Sequence, residues 1–85
     1  MPVAGAVIAI QPTDIIQVKA FLSAFPEVEI HGTDDRGNIV AVFDTATSEA
    51  MEQLIKTLGK HERILHVGLT YLNMEDALSD PEEAP

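Results

Sequence analysis

The strongest constraint on the fold is an unbroken run of apolar and small residues near the amino terminus, Val3–Ile10 (VAGAVIAI). The run is too short to cross a bilayer, which takes roughly 20 residues. Segments that are apolar on both faces are typical of strands in the middle of a sheet. The run therefore predicts a central β-strand.

Two later segments have the apolar spacing of amphipathic helices. The first follows Pro12, with Thr13 or Asp14 as the expected cap, and is expected to end at Pro26. The second begins at Thr47, a residue that caps helices well. The predicted buried faces are Ile15, Val18, Leu22 and Phe25 in the first helix, and Met51, Leu54, Ile55 and Leu58 in the second.

Three further segments are predicted strands. Glu27–His31 alternates polar and apolar residues, which is typical of a half-buried edge strand. A turn-rich segment separates it from Asn38–Phe43, a mostly apolar stretch that completes a hairpin. Ile64–Leu72 is the last strand. Its alternation places Val67, Leu69 and Tyr71 on one side, and His66, Gly68, Thr70 and Leu72 on the other.

The order strand, helix, strand, strand, helix, strand is that of the ferredoxin-like split βαβ fold, an α+β architecture. It predicts a four-stranded antiparallel sheet in the order 4-1-3-2, with both helices on one face. We expect one domain over residues 1–74 and a disordered acidic tail over residues 75–85. The pattern assigns to the face without helices Val3, Gly5, Val7 and Ala9 of the first strand, and His66, Gly68, Thr70 and Leu72 of the last.

The charge balance limits the expected partners. The chain has 14 Asp and Glu against 5 Lys and Arg, a formal charge of −9. Phosphate binding needs a basic face, so nucleic acid and anionic membranes are not expected partners, and a cationic partner is favoured. No basic residue precedes the first apolar run, as one would in a signal peptide. We therefore expect a soluble cytoplasmic protein without membrane insertion.

The polar residues form no recognisable catalytic or metal-binding motif. His31, His61 and His66 lack the spacing of metal ligands, and cysteine is absent. The glycines form no phosphate-binding loop. The carboxylates fall mostly in turns, helix starts and the tail, with no nucleophile or base beside them. We therefore expect neither enzymatic activity nor a bound cofactor or metal.

The face without helices, bordered by acidic residues, is the candidate site. One interpretation is structural: the charges of Glu27 and Glu29 keep an edge strand from pairing with other chains. The functional interpretation is a groove for an amphipathic basic peptide, since small residues let a helix approach and carboxylates pair with arginines. The candidate residues are Gly5, Val7, Gly68 and Thr70 as a platform, and Glu27, Glu29, Asp34 and Asp35 as an acidic rim.

Several segments together resemble the NapD family. They are Leu22–Pro26 (LSAFP) at the end of the first helix, Gly37–Val42 (GNIVAV) in the third strand, Ser48-Glu49 at the start of the second helix, and Val67–Tyr71 (VGLTY) ahead of the acidic tail. The resemblance covers nearly the whole chain. It departs at Glu27, where a small residue is expected after Ala-Phe-Pro.

This resemblance implies the ferredoxin-like fold and a chaperone function. NapD proteins bind the twin-arginine signal peptide at the amino terminus of the precursor of the periplasmic nitrate reductase catalytic subunit. They delay export until the molybdenum cofactor and the iron–sulfur cluster have been inserted. The implied role is that of a cytoplasmic Tat proofreading chaperone in nitrate assimilation that holds its peptide as a helix against the sheet. For the oligomeric state we expect a monomer or weak dimer.

Two alternatives share this type of fold. A regulatory module of the ACT type would bind a small ligand at a subunit interface, often near a glycine after the first strand. Here Gln11–Asp14 supplies no such glycine. A small enzyme of the dimeric α+β barrel kind would need a buried polar constellation, which the sequence does not show. An obligate dimer would favour the ligand-binding module, and a monomer would favour the chaperone.

Overall fold

Strands and helices occur in the order that the sequence predicts. The computed structural model describes residues 1–73, and the acidic tail predicted for residues 75–85 lies outside them. The elements are β1 (Val3–Ile10), a 3₁₀ turn (Pro12–Asp14), α1 (Ile15–Leu22), β2 (Val28–Thr33), β3 (Asn38–Asp44), α2 (Ser48–Gly59) and β4 (Ile64–Asn73).

The four strands form one sheet in the order β2-β3-β1-β4. Each neighbouring pair is antiparallel. This is the predicted order 4-1-3-2 read from the other edge, so the ferredoxin-like α+β fold is confirmed. The apolar strand β1 lies between two neighbours, and the alternating strand β2 lies at an edge, as their patterns predict.

The core lies between the sheet and the two helices. Along β1 the buried residues alternate with half-exposed ones, and Ile8 is fully buried. This alternation confirms the predicted outward set of Val3, Gly5, Val7 and Ala9. Burial of each large apolar side chain stabilises the fold by about 1.5–3 kcal/mol. The principal contributors are Ile8, Ile39, Phe43, Val18, Leu22, Met51 and Leu58.

The two helices begin in different ways. The Thr47 hydroxyl accepts a hydrogen bond from the amide of Ala50 at 3.0 Å, which confirms it as the cap of α2. The expected cap at Asp14 is wrong: its side chain makes no capping bond to α1. Its carboxylate accepts instead from Arg63 Nη1, at 2.9 Å. The Asp14 carboxylate therefore binds the guanidinium of Arg63, just before β4, instead of a backbone amide in the first turn of α1.

The end of α1 also differs from expectation. The helix stops at Leu22, several residues before Pro26. Beyond it the chain tightens, because the amides of Ala24 and Phe25 donate to carbonyls three residues back. Phe25 still packs against the core, as its spacing predicts.

Strand β4 carries two irregularities in its pairing with β1, and these change which residues share a face. Ala6 pairs with Leu69, but its neighbour Gly5 pairs with Tyr71 rather than Thr70. Directly paired residues of antiparallel strands place their side chains on the same side. The assignment of Tyr71 to the helix side is therefore wrong, as is the assignment of Leu72 to the opposite side. An inserted residue, which strict alternation ignores, is the reason.

Candidate functional site

The candidate site is the face of the sheet opposite the helices, here called the open face. The pairing of the strands determines which residues lie on this face, because directly paired residues place their side chains on the same side of the sheet. Its residues are Val3, Gly5, Val7 and Ala9 of β1, Asn38, Val40, Val42 and Asp44 of β3, Glu29, His31 and Gly32 of β2, and His66, Gly68, Thr70 and Tyr71 of β4.

The centre of the open face is small and apolar. Val7 pairs with Val40 on one side and with Gly68 on the other. Gly5 pairs with Val42. The side chain of Val40 is 46% exposed, which is high for valine in an interior strand. The structure thus brings together the predicted platform residues Gly5, Val7 and Gly68 and adds two valines from β3.

The bulge in β4 places Thr70 and Tyr71 beside Gly5. A Cβ atom at Gly5 would lie 2.8 Å from the Thr70 hydroxyl oxygen and 3.6 Å from Tyr71 Cβ. Thr70, a predicted platform residue, therefore lies beside Gly5 on the open face. Tyr71, whose side chain is 58% exposed, is an aromatic residue of the site that the sequence pattern missed. In the sequence, strict alternation along β4 was the only indication of the sheet face on which Tyr71 lies, and it indicated the wrong face.

The β2 edge of the open face carries Glu29 and His31. Glu29 pairs with Val42, which places its carboxylate on the same row as Gly5 and Tyr71. Its Oε1 lies 3.6 Å from His31 Nε2, and both side chains are at least half exposed. The carboxylate is therefore available to a cationic partner.

A further acidic position lies where β1 begins and β3 ends. Asp44 pairs with Val3, and its amide donates to the carbonyl of Glu27 at 2.9 Å. Glu27 and Asp44 are therefore neighbours across the β2–β3 edge. Asp44 follows Val40 and Val42 in strict alternation, so this signal could have identified it from the sequence.

Asp34 and Asp35 lie at the opposite end of the sheet, in the β2–β3 hairpin loop. The carboxylate of Asp34 organises that loop: it accepts from the amides of Arg36 and Asn38 at 2.9 Å and from the Asn38 side chain at 2.8 Å. These hydrogen bonds, with that from the Asn38 side chain foremost, lower the pKa of Asp34. The loop lies about 20 Å from Asp44 by strand rise. The predicted acidic rim is thus split between two ends.

The cationic side chains lie elsewhere. All 5 Lys and Arg residues fall within residues 1–73, and none lies on the open face. Arg63 pairs with Asp14 beneath the start of β4. The others lie in or next to α1 and α2 or in the hairpin loop: Lys19, Arg36, Lys56 and Lys60. The open face therefore joins apolar and acidic groups without a lysine or arginine.

The three histidines lie in different parts of the fold. His31 lies on β2 and His66 on β4, while His61 follows α2. The His61 ring packs against Phe21 with centroids 4.2 Å apart, and its Nδ1 accepts from the amide of Arg63. Within residues 1–73 no group of His, Asp and Glu is placed to hold a metal ion.

A shallow pocket of about 270 Å³ lies outside the open face. Its lining is Gln11, Asp14, Glu62, Arg63 and Leu65. Arg63 and Asp14 of this lining are already paired with each other. The open face, in contrast, carries exposed apolar side chains beside carboxylates, among them Val40 and Tyr71.

Fold and site together define a ferredoxin-like binding module: one sheet face packs on helices, and the other presents an apolar surface with acidic groups. The family model described as NapD protein matches residues 1–76. The chain belongs to the NapD family. Among residues 1–73 no helix has both the length and the apolar character needed to cross a membrane.

A solved structure supports the same assignment. The chain is similar to the solution structure of the E. coli Tat proofreading chaperone protein NapD, with 28% sequence identity and a TM-score of 0.76. The match covers 98% of this chain and 85% of that one. No curated protein sequence matches the chain directly. The family and the solved structure support a chaperone role, and they favour it over a ligand-binding regulatory module or an enzyme.

Proposed function

We propose that this protein is a cytoplasmic chaperone that binds the twin-arginine signal peptide of the precursor of the periplasmic nitrate reductase catalytic subunit. By holding the peptide, it delays export until the enzyme's cofactors have been inserted. Membership of the NapD family supports this proposal, as does the likeness to a Tat proofreading chaperone. The role is binding rather than catalysis.

The observation that carries the proposal is the chemistry of the open face. A twin-arginine signal has paired arginines followed by an apolar stretch, so its binding surface needs carboxylates and an apolar platform. Val7 and Val40 supply apolar surface, and Glu29 and Asp44 supply carboxylates on the same face. The absence of lysine and arginine from this face removes a source of repulsion.

Apolar burial and charge contribute differently to binding. A large apolar side chain of the peptide that becomes fully buried contributes about 1.5–3 kcal/mol. An exposed ion pair contributes only about 0.2–1 kcal/mol. We therefore assign most of the affinity to Val7, Val40, Val42 and Tyr71, while the carboxylates mainly raise the association rate and make it sensitive to salt.

The roles of the individual residues follow from their positions. Gly5, Val7, Gly68 and Thr70 form the platform, and Glu27 and Glu29 meet the arginines from the β2 edge. Asp34 and Asp35 stay in the proposal as more distant charges at the hairpin loop. We also propose that the protein acts as a monomer or weak dimer, because a tight dimer through the open face would exclude the peptide.

Calorimetric titration tests the proposal. The titrant is the leader peptide of the nitrate reductase catalytic subunit from the same organism, and the control peptide has both arginines replaced by lysine. We expect binding that weakens with the replacement and with added salt. Binding of neither peptide would overturn the proposal.

A charge reversal tests whether the carboxylates of the open face contribute to peptide binding. Glu29→Lys is expected to weaken binding at low salt, because it places a cation on the open face. Glu52→Lys makes the same charge change on α2, away from that face, and is the matched control. Equal loss in both variants would indicate a general effect of net charge and would contradict the proposed site. Light scattering on the free protein checks that it is not an obligate dimer.

A further inference from the structure

We infer that the signal peptide binds the open face in one direction, with its paired arginines at the end marked by Asp44 and its apolar segment directed toward His66. This inference rests on the proposed function. The Asp44 end is defined here as Val3, Glu27 and Asp44, and the His66 end as Ala9, Asn38 and His66.

The open face has a width that suits one helix lying along the strands. Glu29 and Tyr71 occupy the same row on the two edge strands, separated by Val42 and Gly5. Three strand spacings make this distance about 14 Å. A helix with its side chains is about 10–12 Å wide. Val42 and Gly5 are smaller than Glu29 and Tyr71, so the middle of the row is lower than its two edges and the helix fits between them.

The two ends of this channel differ in charge. Asp44 lies on β3, an interior strand, and Glu27 and Glu29 lie beside it. At the His66 end the corresponding row consists of His66, Ala9 and Asn38, without a carboxylate.

An arginine of the protein itself adds to this difference. Arg36 lies in the hairpin loop two residues before Asn38, at the His66 end. Arg63 does not contribute, because its charge is paired with Asp14. The Asp34 carboxylate at that end is held by hydrogen bonds within its own loop. Peptide arginines would meet the like charge of Arg36 there, whereas no lysine or arginine belongs to the Asp44 end.

Paramagnetic labelling measures the direction. The chain has no cysteine, so Ala46→Cys at the Asp44 end and Gln11→Cys at the His66 end each give one labelling site. The probe is the leader peptide with ¹⁵N at its arginines and at the far end of its apolar segment. The label at position 46 is expected to broaden the arginine amides more, and the label at position 11 the apolar end.

The outcomes separate the direction from the function. A bound peptide that shows the reverse pattern, or equal broadening from both labels, overturns the inference and leaves the proposed function intact. A peptide that does not bind overturns both. As a second test, Asp44→Asn is expected to weaken binding by about 1.4- to 5-fold, the range of an exposed ion pair. Asp35→Asn, the matched control, is expected to change it less, and the opposite ranking overturns the inference.

Discussion

Tyr71 lies directly opposite Gly5 across the β1–β4 pair, on the face of the sheet that the helices leave uncovered. The relationship depends on Thr70, which shares the position opposite Gly5 as the extra residue of a bulge. The absent Cβ of Gly5 leaves room for the Thr70 hydroxyl. A residue without a side chain on one strand thus accommodates two residues on its neighbour, and an aromatic ring joins the proposed binding surface.

A double-mutant cycle between Gly5 and Thr70 tests this packing. Replacing glycine by alanine within a strand gains about 0.5–1 kcal/mol from the unfolded state. In Gly5→Ala, however, the new methyl approaches the Thr70 hydroxyl at 2.8 Å, and turning that side chain costs about 0.5–1.5 kcal/mol. We expect almost no net change in the free energy of unfolding, measured by chemical denaturation.

In the Thr70→Ala background the same substitution is expected to stabilise the protein, because the conflicting hydroxyl is gone. The difference between the two backgrounds is the coupling between the residues. Identical effects of Gly5→Ala in both backgrounds would contradict the described contact.

The β2–β3 hairpin loop makes a second close approach, at Gly37. This glycine has φ +95°, and a Cβ there would meet the carbonyl of Ile10. Gly37→Ala is expected to destabilise the protein by more than the roughly 1–2 kcal/mol of left-handed geometry alone, because the clash involves backbone. Gly32→Ala, which meets nothing within 4 Å, is the control. Thermal unfolding should show a large loss for the first and little change for the second.

The Asp34 carboxylate in the same loop is expected to make the stability of the protein depend on pH. Its hydrogen bonds favour the ionised form of Asp34 and lower the pKa of that carboxyl. A lowered pKa means that the stabilisation is present above the unfolded-state pKa and is lost as the pH falls through the folded-state pKa. The melting temperature of wild type should therefore exceed that of Asp34→Asn more at neutral pH than in strong acid.

NMR titration of the carboxyl carbons provides the direct readout. Asp34 should titrate below its ordinary value of 3.8. Asp35→Asn changes an exposed carboxyl in the same loop and serves as the control for net charge. A melting-temperature difference between wild type and Asp34→Asn that is constant with pH would contradict the assigned role of the carboxylate.

Substitutions at two neighbouring residues of β3 are expected to affect stability and peptide binding separately. Ile39 is fully buried against the helices, whereas Val40 is nearly half exposed on the open face. Ile39→Val is expected to cost about 0.5–1.5 kcal/mol of stability and to leave peptide affinity unchanged. Val40→Thr keeps the branched shape and is expected to change stability by no more than about 0.5 kcal/mol. Its hydroxyl should weaken peptide binding several-fold, because a polar group then meets the apolar segment.

Calorimetry and chemical denaturation on the two variants give both quantities. Loss of affinity in Ile39→Val without loss in Val40→Thr would mean that the peptide does not use the open face.

Much of this architecture could be predicted because periodicity reports directly on burial. The alternation of β1 identifies Ile8 and Ile10 as core, and the spacing of Val18 and Leu22 identifies the buried face of α1. Because such a pattern repeats over several residues, it identifies a strand or helix without depending on any single residue. The order of elements then leaves few topologies, and the right-handed crossovers select the observed sheet.

The missed features depend on single insertions or on distant partners. One inserted residue in β4 moves Tyr71 to the other face, and no local pattern marks that insertion. Asp14 matches the pattern of a helix cap, but Arg63, 49 residues later, takes its carboxylate. The sequence also groups Asp34 and Asp35 with Glu29, although the hairpin carries them to the far end of the sheet.

Chemical-shift mapping on the protein shows directly whether the peptide binds the open face. The leader peptide is added to ¹⁵N-labelled protein, and the amide shifts of the sheet and helices are followed. We expect the largest changes along the open face, at Gly5, Val7, Val40, Val42 and Gly68, with small changes in α1 and α2. Changes concentrated on the helices, with the open-face amides unmoved, would mean that the peptide binds the helical side instead.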